Sequence, residues 1–80
     1  MNQQEILRSI QLERIKQDQI WGQQNHLPHI WLAILVEKVG EVAEAITENR
    51  LLTTRNELIQ VAAVAVAAIE LLDRNELLPI

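Results

Sequence analysis

The run Glu57-Leu58-Ile59-Gln60-Val61-Ala62-Ala63-Val64-Ala65-Val66-Ala67-Ala68-Ile69-Glu70 decides how this chain folds. From Val61 to Ile69 there is no polar side chain, and between Leu58 and Leu72 only Gln60 and Glu70 interrupt the apolar surface. A helix apolar nearly all round must be buried on every side. The run falls well short of the roughly 20 residues that cross a bilayer, so its cover has to be protein. Its five alanines, Ala62, Ala63, Ala65, Ala67 and Ala68, allow close helix approach. Two short helices from the same chain could hardly cover it, which places this helix at the centre of an expected homo-oligomer.

Working outward, Asn49 to Thr53 is expected to be a turn. Thr54-Arg55-Asn56-Glu57 matches a capping box, in which Thr54 bonds the amide of Glu57 and Glu57 reaches back. The third helix is therefore expected from about Arg55 to Leu72, fraying through Asp73 to Leu77 before Pro79. The second is expected from about Pro28, a residue suited to a first helical turn, to Glu48. In it Leu32, Leu35, Val39, Val42 and Ile46 form one apolar stripe, while Glu37, Glu41, Glu44 and Glu48 form an acidic stripe on the far side. The first helix is expected from about Gln3 to Trp21, with Ile6, Leu7, Ile10, Ile15 and Ile20 among polar residues and Gly22 as its natural stop. Gln23 to Leu27 is a polar connector. The expectation is an all-α fold, a three-helix protomer of one domain spanning 1–80 that forms a helical bundle by oligomerisation.

Composition narrows the function. The chain has 80 residues, no cysteine, and a net charge of −4, which excludes thiolate chemistry and argues against a nucleic-acid polymer as partner. At 80 residues a single core is marginal, and self-association is a common remedy. The N-terminus carries neither a basic region nor a following apolar stretch, so a cytoplasmic location is expected and no membrane partner is. With only Trp21 and Trp31 as aromatics, the core must be aliphatic. Trp31 is expected in it, beside the apolar stripe.

The acidic elements Glu37-Lys38-Val39-Gly40-Glu41 and Glu57-Leu58-Ile59-Gln60 place carboxylates at one-turn spacing, an arrangement that suits a hard divalent cation. Glu41 lies about 40° round the helix from Glu37 and Glu44 about 20° to its other side, so the three can face one space. The same spacing also describes the solvated face of an amphipathic helix, and a cap role would equally account for Glu57. Glu57 would join the cluster if the third helix packs beside the second, which is expected across a packed pair or a dimer rather than within one hairpin.

Three segments in this order resemble the MazG-like branch of the all-α NTP pyrophosphatase superfamily. They are Glu13-Arg14 with Gln17 and Trp21-Gly22, then Trp31 with Ile34 to Ala43, then Glu57 to Val64. The resemblance implies a dimeric or tetrameric helical protein that uses magnesium (Mg2+) to hydrolyse a nucleoside triphosphate to the monophosphate and pyrophosphate. It assigns metal binding to Glu37, Glu41, Glu57 and Gln60, with Glu37 or Glu44 as catalytic base. Two positions depart from the family pattern: Lys38 stands in an acidic place and Gln60 in an aspartate place. Lys38 is then either a phosphate contact or the loss of a metal ligand, and in the second case the protein is a silent nucleotide-binding module. A plain helical oligomerisation module with surface glutamates is the reading of another class. Trp21 is expected either to stack on the base, with Gln17 or Asn25 reading its edge, or to pack on the core as a helix-end residue, and His26 and His29 are loop residues expected to be solvated or capping.

Overall fold

The computed structural model describes residues 2–74 as three α-helices: α1 (Gln3–Trp21), α2 (Pro28–Thr47) and α3 (Leu51–Arg74). Among the described residues there is no strand. α1 begins with a capping box that the sequence reading missed. Asn2 accepts from the Glu5 amide at 2.9 Å and the Glu5 carboxylate accepts from the Asn2 amide at 3.5 Å. It ends at Gly22, whose φ of 70° needs a residue without a Cβ and whose amide bonds Asp18 O at 2.9 Å. Pro28 opens α2 as expected.

α2 and α3 form an antiparallel hairpin around a turn of three residues. The Asn49 amide bonds Ile46 O and the Arg50 amide bonds Ala45 O, both at 3.0 Å, with Asn49 at φ 57°. This pair of bonds closes a helix C-terminus with the chain left-handed for one residue, a place asparagine tolerates. The chain then enters α3 at once, which corrects the expected start at Arg55. Thr54 lies inside the first turn, and its hydroxyl donates to Arg50 O at 2.8 Å. The expected capping box at Thr54 is therefore absent, because that hydroxyl already satisfies the carbonyl four residues back. The expected fraying past Arg74 to Leu77 and the stop at Pro79 lie outside the described residues.

α3 is the central helix. It packs against α2 on one flank and α1 on the other, while no Cα of α1 comes within 8 Å of a Cα of α2. The buried core joins Trp31 of α2 to Val64, Ala67 and Leu71 of α3, with Ile34, Leu35 and Ala68 against it. The face α2 turns to α3 thus runs through Trp31, Ile34, Leu35, Lys38, Glu41, Val42 and Ala45. The expected α2 stripe was rotated from this: Leu35 and Val42 belong to the packed face, but Leu32 is 61% exposed and Ile46 56%. α3 is likewise not covered all round, with Leu58 at 51% and Ile69 at 56%. α1 contributes no buried residue and is tied down by Arg14, which bonds Glu70 of α3 and Asp18 of its own helix.

Two substitutions test this packing. Leu71→Ala should lower unfolding free energy by about 2–5 kcal/mol in urea titration, whereas Leu12→Ala on the exposed side of α1 should cost under about 0.5 kcal/mol. Gly40 sits mid-α2 with nothing within 4 Å of where a Cβ would be, so Gly40→Ala should stabilise by roughly 0.5–1 kcal/mol.

Candidate functional site

The three-residue turn pairs residues of α2 and α3 that are equally far from Asn49. Trp31 then meets Ala67, Ile34 meets Val64, Lys38 meets Gln60 and Glu41 meets Glu57. Glu57 therefore joins Glu41 within one hairpin, which corrects the expectation of a meeting across a packed pair or a dimer. With Thr54 inside the helix, the Glu57 side chain has no cap to make and turns toward α2.

The resulting cluster holds four polar side chains between two helices. The Lys38 ammonium lies 3.5 Å from Glu41 Oε2 and donates to Gln60 Oε1 at 3.5 Å. Oε2 of Glu57 is closed off from solvent without a hydrogen-bond partner. Glu57 faces Glu41 across the hairpin, and a hydrogen bond between two carboxyl groups forms only when one of them carries a proton. That hydrogen bond to Glu41, helped by burial and by the Glu41 charge, raises the Glu57 carboxyl above the ordinary range, while Lys38 and Arg50 pull the other way. A carboxylate held in this state is one that a divalent cation would relieve by replacing the proton.

The other expected site residues fall elsewhere. Glu37 and Glu44 are exposed on the flank of α2 next to Glu41, not between the helices. Among the described residues no three His, Asp or Glu side chains converge on a common metal position. Gln17 lines a separate cavity of about 560 Å³ with Arg14, Asp18, Trp31, Glu70 and Arg74. Asn25 is held by Arg74 Nη2 at 3.1 Å and by Gln23, so the connector is fastened to the end of α3. Trp21 is 67% exposed and does not line that cavity. His26 is not simply solvated: its ring meets Trp31 edge-on at 5.0 Å, over a buried indole whose Nε1 has no partner. The Trp31 level and the Glu41 level are ten residues apart along α2, roughly 15 Å.

Sequence reasoning missed the Arg14–Glu70 tie and the His26–Trp31 contact. Arg14 and Glu70 are 56 residues apart, and His26 and Trp31, only five apart, meet across the connector and the start of α2, where no periodic pattern marks the contact. Comparisons with family models, with curated proteins and with solved structures find no match to this chain.

The raised Glu57 carboxyl gives a pH signature. Its folded value lies above the unfolded one, so its stabilising contribution is complete below the unfolded carboxyl range and is lost as pH rises through the folded value. Urea unfolding from about pH 4 to pH 7 should show the native chain losing stability that Glu57→Gln retains. Glu41→Gln, which removes the largest cause of the shift, should flatten the profile in the same way.

Proposed function

We propose that this chain is a magnesium-dependent nucleoside triphosphate pyrophosphohydrolase of MazG-like type, acting as a homo-oligomer and releasing a nucleoside monophosphate and pyrophosphate. The observation that carries the reading is the Glu41–Glu57 pair across the hairpin, with one Glu57 oxygen buried and unpartnered and the Gln60 amide beside it. Two carboxylates and an amide oxygen suit magnesium, which takes one or two protein carboxylates and completes its shell with water and substrate phosphates. When bound there, the cation would supply charge neutralisation to the α- and β-phosphates and a water of lowered pKa.

The chain's own residues divide the remaining work. Glu41 and Glu57 hold negative charge between the helices, and Gln60 offers its carbonyl oxygen once Lys38 withdraws. The Lys38–Glu41 contact is an i, i+3 pair with both side chains about a third exposed. Such surface pairs contribute only about 0.2–1 kcal/mol, so this one yields readily to a divalent ion. Released, the ammonium meets a phosphate as a point charge. Glu37 or Glu44, on the exposed flank beside Glu41, takes the proton of the attacking water as general base. The Gln17 cavity, roughly 15 Å along the hairpin, is where the base end of the substrate would extend. Trp21 offers a stacking face at the end of α1.

The position of Lys38 favours one second reading, a silent MazG-like protein that binds nucleotide without turnover. Its ammonium contacts both Glu41 and Gln60, occupying the space a cation would take. Pyrophosphate release and magnesium calorimetry separate the two. The enzyme reading expects magnesium-dependent release from at least one member of a panel of standard and modified nucleoside triphosphates, and a melting temperature that rises with magnesium in the native chain but not in Glu57→Gln. No release across the panel sinks it. Magnesium binding that appears only in Lys38→Glu supports the silent reading.

A further inference from the structure

The Gln17 cavity lies between the C-terminal half of α1, the connector, Trp31 and the last turns of α3. At about 560 Å³ it has the size of a small-molecule site, which runs from roughly 300 to 1,000 Å³. Arg14 and Arg74 there face three carboxylates, those of Asp18, Glu70 and Asp73, so the lining is negative on balance and suits an uncharged ring better than a phosphate. Arg14 is already engaged on three sides. Its Nε donates to Glu70 Oε1 at 3.0 Å, its Nη2 to Asp18 Oδ1 at 3.0 Å, and its Nη1 to Gln17 Oε1 at 3.3 Å. A guanidinium has donors only. The Gln17 amide must therefore turn its oxygen to Arg14, which leaves both Nε2 donors for an occupant of the cavity. The Trp31 indole on the wall is a second donor, whose Nε1 has no acceptor among the described residues. Acceptors are placed differently. Glu70 gives Oε1 to Arg14, and the Asp18, Gln23 and Asp73 side chains are exposed, where water competes for them.

We infer that this cavity selects a heterocycle by its carbonyl oxygens, and that Arg14 is the positioning residue that makes Gln17 a donor toward them. Such selection presupposes the reading of the cavity as the base end of the substrate. The favoured class is an oxo base, uracil or hypoxanthine, over its amino counterpart, cytosine or adenine. At the place where the members of each pair differ, the first presents an oxygen that accepts and the second an amino group that donates. An amino group set against Gln17 Nε2 puts donor on donor, and both hydrogen bonds go unmade. An unrestrained glutamine would evade this by turning its amide over, since its two ends have nearly the same shape. Arg14 prevents the turn, because the reversed amide would set an NH2 against a guanidinium with no lone pair to offer.

The test is calorimetric titration of the full chain, without magnesium, with the free nucleosides uridine, cytidine, inosine and adenosine. None carries a phosphate, so the result does not depend on turnover. Uridine should bind at least about tenfold more tightly than cytidine, and inosine than adenosine by a like factor. Gln17→Glu keeps the side-chain length and removes the donors, so the preference should be lost. Arg14→Met frees the amide, and the ratio within each pair should fall toward unity. Arg14→Lys still only donates and should restore part of it. Should Arg14→Met misfold, the other two variants carry the test: the ratio must survive in Arg14→Lys and vanish in Gln17→Glu. If Arg14 merely held α1 in place, its loss would weaken all four nucleosides alike with the ratios intact, and that outcome overturns the positioning role. Equal affinities in the native chain, a preference for the amino member, or no nucleoside bound at millimolar concentration overturns the inference. Pyrophosphate release, measured in parallel, separates this failure from that of the hydrolase reading. Release without an oxo preference sinks the selectivity alone, and oxo-selective binding without release sinks the hydrolase alone.

Discussion

Asn49, held left-handed between two amide-to-carbonyl bonds at the end of α2, sets which residues of α2 and α3 face each other. A helix terminus closed in this way leaves no slack before α3 begins, so the register of the hairpin is fixed by the length of the turn. Adding or removing one residue there would rotate α3 by about 100° relative to α2 and pass every partner by. The buried apolar pairs depend on that register, and so does the meeting of Glu41 with Glu57. Core and candidate site therefore have one geometrical origin, with Trp31 and Leu71 toward one end of the hairpin and the polar cluster toward the other.

The polar cluster is costly within the isolated chain. A carboxyl oxygen without a partner and out of solvent forfeits its hydration, a loss of about 1–3 kcal/mol for an unsatisfied buried group. A proton on Glu57, whose carboxyl is shifted upward, would lessen that cost, as does the neighbouring Lys38. Neither remedy is complete, because Lys38 reaches Glu41 and Gln60 while Glu57 Oε2 stays unsatisfied. Two aliphatic side chains in place of these glutamates would pack without such a cost. Their presence at matched positions of the hairpin is what sets this region apart from ordinary core.

Much of the helical content was legible because it rests on local signals. Gly22 and Pro28 bracket the connector, and the isoleucine spacing marks α1. The start of α3 was misread because Thr54 and Glu57 satisfy a capping pattern locally, while the left-handed Asn49 that displaces it depends on bonds to Ala45 and Ile46. The packed face of α2 was displaced for a different reason. That helix has two adjoining apolar stripes, and periodicity treats Leu32 and Val39 as equals of Leu35 and Val42. The Trp31 indole and the buried Ala45 decide between them, and they do so through volume. Of the acidic residues, Glu41 and Glu57 meet because of the register, whereas Glu37 and Glu44 keep the exposed positions that a solvated stripe describes. Lys38 was visible as a departure from an acidic pattern, but its reach to Gln60 required the hairpin.

α1 contributes no buried residue; it packs along α3 with Ile10 half-buried and the Arg14 guanidinium on Glu70, and Arg74 fastens the connector. The ion-paired part of that attachment weakens as salt screens it, whereas the hairpin rests on apolar burial, which salt does not weaken in this way. The molecule therefore has two tiers of opening. In amide hydrogen exchange, α1 and the connector should release their protons through a shallow event made easier by added salt. The amides of Trp31 to Ala45 and Ala63 to Leu71 should exchange only through unfolding of the hairpin itself. The Gln17 cavity, walled by α1 on one side, would come and go with the shallow event, while the Glu41–Glu57 cluster persists through it.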